Sequence, residues 1–332
     1  MAQIKTALLG FGNVGRAFAQ YAREAGAPCS VSIRAVADSS GGILIEDPEN
    51  IEHILAQKQA GRSLHNIAPE DVIEDAHEFL RSLAPAGITT LVESLPTNVI
   101  DGQPALALIR EALEQGINVV TVDKGPLVHG LQELEQAAHL TGTYLGYSGA
   151  TGVRLPEELS GSAVLEIRGL LNGTTNYILT QMQEAFLSFE AALAQAQAQG
   201  IAEPSPSLDL DGWDTACKIL ILASAHMGAG STLGEVSRIG IGPQTEGLIE
   251  TARKTGRKVR LLGRARIWQG RVRLSVAPKI LSSDSPFFSI AGTSKAAVFT
   301  TEEKGDIFVS AQSGRDSICR TIMEDLLRGE KR

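Results

Sequence analysis

Cysteine is scarce in this chain. Three residues, Cys29, Cys217 and Cys319, stand far apart, with no Cys-x-x-Cys pair. That spacing excludes a disulfide scaffold and a cysteine-based zinc site, and it suits reducing cytoplasm, the expected location. Long apolar runs are missing too. The longest, Ile219 to Ala225, is closed by Lys218 and His226, far short of the ~20 residues that span a bilayer, so no membrane association is expected. The N-terminus has no basic segment ahead of an apolar stretch, which argues against a signal peptide. Positive charge is not in excess either. Lys and Arg number 30 against 38 Asp and Glu, a net charge of −8. An acidic chain gains nothing from counterion release, so nucleic acid would need a local basic face. The one candidate, residues 253–273, holds nine basic residues and no acid. Within it Arg271 and Arg273 alternate with Val272 and Leu274, which reads as the polar face of a strand, and no nucleic-acid partner is expected.

What remains is ordinary globular material. With 332 residues, 43% hydrophobic and 20% charged, the chain is too apolar for disorder and long enough for two domains of roughly 150 residues. Residues 1–150 alternate strand-like and helix-like segments. Ile4–Leu9 enters glycines at 10, 12 and 15; a helical pattern then carries Val14, Ala17, Phe18, Ala22 and Ala25; Ser30–Ala37 follows as a strand ending at Asp38. Apolar strands around Leu91 and Val120 flank a helix from about Pro104 to Gln115. This alternation predicts an α/β chain with a Rossmann-like, doubly wound parallel sheet. Residues 151–304 read as a second, α+β domain, with a strand over 163–171, helices from Tyr177, over 189–199 and over 215–227, and a loop over 200–211. A closing helix within 305–332, its pattern clearest over 315–328, is expected to pack back on the first domain.

Gly10-Phe11-Gly12-Asn13-Val14-Gly15 is a G-x-G-x-x-G directly after a strand and at a helix start. Glycine permits the tight turn and close approach of a pyrophosphate, and the helix N-terminus offers free N–H groups to it. Asp38, ending the second strand, is placed to accept from ribose hydroxyls, which favours NAD. Lys58 or Arg34 leaves NADP open.

The densest polar cluster runs from Glu203 through Asp209, Asp211 and Asp214 to Lys218, just before the most apolar helix. Asp214 and Lys218 are four apart and share one helix face. An exposed pair of that kind is worth only ~0.5 kcal/mol. A lysine held beside buried apolar residues becomes a usable acid/base.

The segment Ala196–Lys218 resembles, position by position, the signature of homoserine dehydrogenases. Leu171-Asn172-Gly173-Thr174-Thr175-Asn176-Tyr177, Val92-Glu93-Ser94-Leu95-Pro96-Thr97-Asn98 and Val122-Asp123-Lys124-Gly125 are similar to three more family segments, in the right order. The resemblance implies reversible NAD(P)-dependent oxidation of L-homoserine to L-aspartate 4-semialdehyde, a sheet-based substrate and dimerisation region over 151–304, and a homodimer. It implies Lys218 as general acid/base and Lys124 as a second catalytic lysine near the nicotinamide. Glu203 and Asp214 would bind substrate, with Asp209, Gly173 and Thr174 close by. Gly10, Phe11, Gly12, Asn13, Val14, Gly15, Asp38, Ser94, Lys124, Gly200 and Gly314 would serve the dinucleotide. The chain departs from the family where an acid usually helps hold a monovalent cation, since Ser148 stands there. The carbonyls of Thr151, Val153 and Leu155 are the remaining candidate ligands for sodium.

Overall fold

A computed structural model describes residues 3–24, 31–159, 161–312 and 314–331. Ala25, Ser30 and Cys29 therefore lie outside the described residues; Cys217 and Cys319 are buried free thiols. Two compact units are present, Met1–Ala150 with Gly314–Arg332, and Thr151–Ser313.

In the first unit, β1 (Ile4–Leu9), α1 (Asn13–Glu24), β2 (Val31–Asp38) and β3 (Gly41–Leu44) precede three helices, α2 (Asn50–Gln59), α3 (Leu64–Ile67) and α4 (Ala76–Leu83). Then follow β4 (Thr90–Glu93), α5 (Ala105–Glu114), β5 (Asn118–Thr121), α6 (Gly125–Thr141), β6 (Leu145–Gly146) and the single turn α7 (Ser148–Thr151). The sheet order is β3-β2-β1-β4-β5-β6, parallel throughout except for the β2–β3 hairpin. Strands buried on both faces explain the unbroken apolar runs, since helices cover each side. The winding direction reverses between β1 and β4, and ligands bind in the crevice beyond the strand ends at such a point.

In the second unit come β7 (Val164–Leu170), α8 (Gly173–Glu184), α9 (Phe189–Ala198), α10 (Ser207–Leu210), α11 (Trp213–Met227), β8 (Ser237–Arg238) and α12 (Thr245–Arg253). Four long strands complete it, β9 (Lys258–Trp268), β10 (Arg271–Leu281), β11 (Lys295–Thr301) and β12 (Gly305–Ala311). Their sheet, ordered β12-β11-β7-β9-β10-β8, is antiparallel except for the short β8–β10 pairing. Helices α8, α11 and α12 pack on its strands. The basic stretch 253–273 falls on α12 and the β9–β10 hairpin, where Arg271 and Arg273 are exposed and Leu274 and Val276 buried.

Two expectations are corrected. The closing helix, α13 (Arg315–Gly329), starts ten residues later than 305. Residues 305–311 are instead edge strand β12, in which half-buried Ile307, Val309 and Ala311 alternate with exposed neighbours, a period of two that fits no helix. From Ile318 the period changes to three and four, and Cys319, Ile322, Met323 and Leu326 enter the core with α1 and β1. The expected loop 200–211 contains one helical turn, α10, closed by Asp209 and Leu210 N–H groups on the Pro206 carbonyl. Among the described residues no helix is long and apolar enough to cross a membrane.

Candidate active site

A cavity of about 690 Å³ opens beyond the ends of β1, β2 and β4, lined among others by Gly10, Phe11, Gly12, Asn13, Val14, Asp38, Lys58 and Ser94. The glycines earn their places separately. Gly10 has φ +99°, and a Cβ there would lie 2.5 Å from the Ser94 carbonyl oxygen. A Cβ at Gly15 would strike the Gly10 carbonyl, so α1 packs directly on the turn. At Gly12 a Cβ meets nothing within 4 Å, and the backbone there faces open space. The N–H groups of Gly10 and Phe11 both donate to the Ala37 carbonyl, at 2.9 and 2.8 Å, and Ser94 Oγ donates to the Gly10 carbonyl at 2.9 Å. The turn is thus fastened to β2 and β4, with the N-terminus of α1 left facing the cavity. This is a cradle that fits a pyrophosphate.

Asp38 lines the same cavity. Its Oδ1 accepts from Ser40 N (2.8 Å) and Oγ (2.6 Å), and its Oδ2 pairs with Lys58 Nζ at 2.5 Å. Burial pushes this carboxyl up, but the bonds from Lys58 and Ser40 outweigh it and hold the pKa below the ordinary value. Sequence reading considered Lys58 only as a charge for a phosphate; the fold places it on the carboxylate.

At the ends of β4 and β5 lies a carboxylate network that local pattern did not reveal. Glu93 is fully buried, and burial, followed by the charge of Asp123, raises its pKa to about 8. It accepts from Leu95 N at 2.7 Å and from Thr121 Oγ1 at 2.5 Å; Thr121 Oγ1 in turn accepts from Asp123 N. Asp123 Oδ1 accepts from Gly125 N, at the start of α6, where half-buried Lys124 is the N-cap.

The second unit gathers its own cluster. Asn172 caps α8: its Oδ1 accepts from Thr175 N at 2.8 Å, which leaves its Nδ2 to donate to Asp209 (2.7 Å) and Asp214 (2.9 Å). Lys218, one turn into α11 and 9% exposed, donates to Asp214 Oδ2 at 2.6 Å and to the Leu171 carbonyl at 2.9 Å. The pair expected from spacing is therefore a shielded one. Burial, then the neighbouring Asp214, raises the Asp209 pKa. Gly173 opens α8, and Thr174 Oγ1 donates to the Ile201 carbonyl at 3.1 Å. Asn172 belongs to this site, although only its motif, not its bridging role, was read from sequence. Glu203 is exposed, and none of these contacts involves its carboxylate. Trp213 lies beneath the Arg238 guanidinium, 3.6 Å from its ring centroid.

Two expected dinucleotide positions stand at helix ends. Gly200, with φ +68°, ends α9, and exposed Gly314, with φ +142°, precedes α13. Gly314, in the first unit, is not among the residues that line its cavity. Of the three candidate cation ligands, one carbonyl is already engaged within the chain. The Val153 carbonyl accepts from Thr151 Oγ1 at 2.9 Å. Ser148 is held by buried Asp325, which accepts from its N (2.9 Å) and Oγ (2.8 Å). Among the described residues no group of three or more His, Cys, Asp or Glu is placed for a metal. His226 packs edge-on to Phe299 with its Nε2 buried and without a hydrogen-bond partner, and burial lowers its pKa to about 4.

A glycine turn at the switch point of a parallel sheet, an acid at the end of β2, and a shielded lysine among carboxylates define a dinucleotide-dependent oxidoreductase. Comparison with known proteins narrows the class. The homoserine dehydrogenase family profile matches residues 153–327. The chain is 34% identical to an NAD(+)-dependent homoserine dehydrogenase of Pseudomonas canavaninivorans, over 98% of this chain and 96% of that one. It is 33% identical to a homoserine dehydrogenase of Methanocaldococcus jannaschii, over 88% and 87% respectively. A solved structure described as a putative homoserine dehydrogenase of Archaeoglobus fulgidus superposes with a TM-score of 0.84 at 31% identity, covering 98% of this chain and 99% of that one. The chain belongs to the homoserine dehydrogenase family.

Proposed function

We propose that this chain catalyses the reversible NAD(P)-dependent oxidation of L-homoserine to L-aspartate 4-semialdehyde, a step toward threonine, methionine and isoleucine. The observation that carries the reading is the Lys218–Asp214–Asn172–Asp209 cluster. Two contacts engage two of the three N–H bonds of the Lys218 ammonium, and the third is left for a substrate oxygen. In the reducing direction Lys218 donates a proton to the C4 oxygen while its charge stabilises the developing alkoxide; oxidation runs the same transfer backwards. Asp214 holds Lys218 in place, and Asn172 keeps the two carboxylates apart and oriented. The nicotinamide, when bound, carries the hydride. Lys124 is assigned as the second lysine from the family likeness.

Glu203 and Asp214 are the proposed partners of the substrate ammonium. Glu203→Gln is expected to raise the homoserine KM roughly five- to tenfold, the loss of a charge-assisted contact worth ~1 kcal/mol, with kcat little changed. An unchanged KM removes Glu203 from the substrate site.

NAD is the proposed preferred cofactor. The Asp38 carboxylate repels a 2′-phosphate, and its pairing with Lys58 tempers that repulsion, so the preference in kcat/KM is expected to be about tenfold rather than absolute. The name of the Pseudomonas relative supports it. Initial rates with homoserine and each cofactor test both readings at once: no turnover with either cofactor overturns the function, and a higher kcat/KM with NADP overturns the preference.

We infer as well that two copies associate in the cytoplasm. Leu165, Ile267, Trp268 and Phe308, all on strands of the second sheet, leave 40–50% of their surface in water, more apolar exposure than one sheet of a lone chain carries comfortably.

A further inference from the structure

Helix α11 starts without a cap of its own. Its N-cap is Gly212, in a left-handed turn at φ +79°, and no side chain accepts from the first-turn N–H groups there. A serine, threonine, asparagine or aspartate at that place would fix where the helix begins. The sequence supplies no such oxygen, yet Asp214 stands in the first turn and Lys218 one turn later.

What holds this start comes from a distant part of the chain. Half-buried Arg238, on β8, donates from Nη1 to the Asp211 carbonyl, and its guanidinium lies 3.6 Å from the centroid of the Trp213 ring. The stem of the same side chain passes over the residue between them. A Cβ on Gly212 would stand 3.5 Å from Arg238 Cγ and 3.1 Å from Val276 Cγ1. One side chain thus grips residues 211, 212 and 213 in turn. Arginine suits that task, because its planar fork donates in its plane and stacks through its face.

Arg238 is itself fastened at two ends. It pairs with Val276 on β10, and Ile239 N donates to the Val276 carbonyl at 2.8 Å. Ile241 N then donates to the Leu210 carbonyl, at the end of α10, also at 2.8 Å. A Cβ on Gly240 would strike that carbonyl, so the two backbones touch. Residues 238–241 therefore form a strap from the sheet to the α10–α11 turn. Asp209 and Asp214 flank that turn, and Asn172 bridges their carboxylates.

Resting on the homoserine reading, we propose that Arg238 is a positioning residue for the reaction: by clamping Asp211–Trp213 it sets where α11 begins and so where the Lys218 ammonium reaches. It acts through the helix and not on the substrate. Misplacement of a reacting group by about 1 Å costs up to about 10²-fold in rate, so a loosened helix start is read directly in kcat.

The test compares Arg238→Met, which keeps the stem and loses the guanidinium, with Arg238→Lys and the wild type, each alone and beside Lys218→Ala. Arg238→Met is expected to lower kcat for homoserine by roughly tenfold, in a chain shown folded by thermal melting and with NADH affinity within twofold. Arg238→Lys still donates to the carbonyl and holds a charge over the ring, and its kcat is expected to stay within threefold of wild type. Beside Lys218→Ala, the further loss from Arg238→Met is expected to be under twofold, since the group it positions is gone. A residue that only stabilises the fold would take the same toll in both backgrounds. Trp213→Leu, which removes the stacked ring and keeps the bond to Asp211, goes through the same cycle as a second variant, with the same non-additive pattern expected. A kcat within twofold of wild type for Arg238→Met, or its full loss repeated beside Lys218→Ala, overturns the role of Arg238 and leaves the reaction standing. Failure of the wild type to oxidise homoserine overturns both.

Discussion

Lys218→Ala is expected to lower kcat by about 10²–10⁴, the usual contribution of a positioned acid/base, while affinity for NADH and NADPH stays within twofold. The ammonium sits 2.6 Å from Asp214 and 2.9 Å from the Leu171 carbonyl, so truncation removes the proton donor and takes the counter-ion from a shielded carboxylate. Part of the loss therefore appears as stability, because a shielded charge that loses its counter-ion is costly. Asp214→Asn combined with Lys218→Ala relieves that cost without restoring turnover, which separates chemistry from folding. Lys218→Arg is expected not to rescue, since arginine stays protonated and its planar fork is too wide for a site shaped around a single nitrogen. Steady-state kinetics with dinucleotide titration on folded samples decide the matter. Retention of more than a tenth of wild-type kcat by Lys218→Ala moves the acid/base role to another group.

Gly10→Ala is expected to abolish measurable dinucleotide binding and to lower the melting temperature by roughly 5–15 °C. Two penalties add. A Cβ at φ +99° costs about 1–3 kcal/mol of backbone strain. The same atom would meet Ser94 O at 2.5 Å and Leu95 N at 2.9 Å, backbone atoms just beyond a strand held between β1 and β5, and overpacking of that kind costs about 1–3 kcal/mol more. At roughly 2–4 °C per kcal/mol for a unit of about 150–250 residues, the sum of about 2–6 kcal/mol corresponds to about 4–24 °C, and the stated drop is the middle of that range. Relief by moving the turn away from β4 would carry the Gly12 backbone with it and spoil the cradle. Calorimetric melting and NADH fluorescence titration read the two effects separately. Wild-type NADH affinity in a fully folded Gly10→Ala sample would falsify the placement of the pyrophosphate at this turn.

Much of this was legible in the sequence wherever the determinant is local. The glycine turn announces itself through three residues within six positions, and the order of apolar strands implies the parallel sheet that follows. Asp214 and Lys218 are four apart, so helical geometry alone joins them. What stayed hidden depends on contacts between distant residues. Lys58 reaches Asp38 across twenty positions, and nothing near either residue says so. Asn172 bridges Asp209 and Asp214 only because α8 and α11 meet at their N-termini. Glu93 looks like the last residue of a strand, and its burial among Thr121 and Asp123 follows from the pairing of β4 with β5. Strand 305–311 is hard to read for a related reason: its half-buried residues alternate weakly at an edge, and the closing helix begins just beyond.

The first unit is discontinuous. Its sheet is complete in residues 1–150, but α13, which supplies Cys319, Ile322, Met323 and Leu326 to the core beside α1, is synthesised only after all of residues 151–313. On the ribosome the two units therefore finish in the reverse of their order of appearance: the second can close on itself as soon as β12 emerges, while the first waits with an uncovered apolar seat. A substitution that slows folding of the second unit prolongs that wait. It would lower the yield of chains able to hold a dinucleotide without touching a single residue of the dinucleotide cradle.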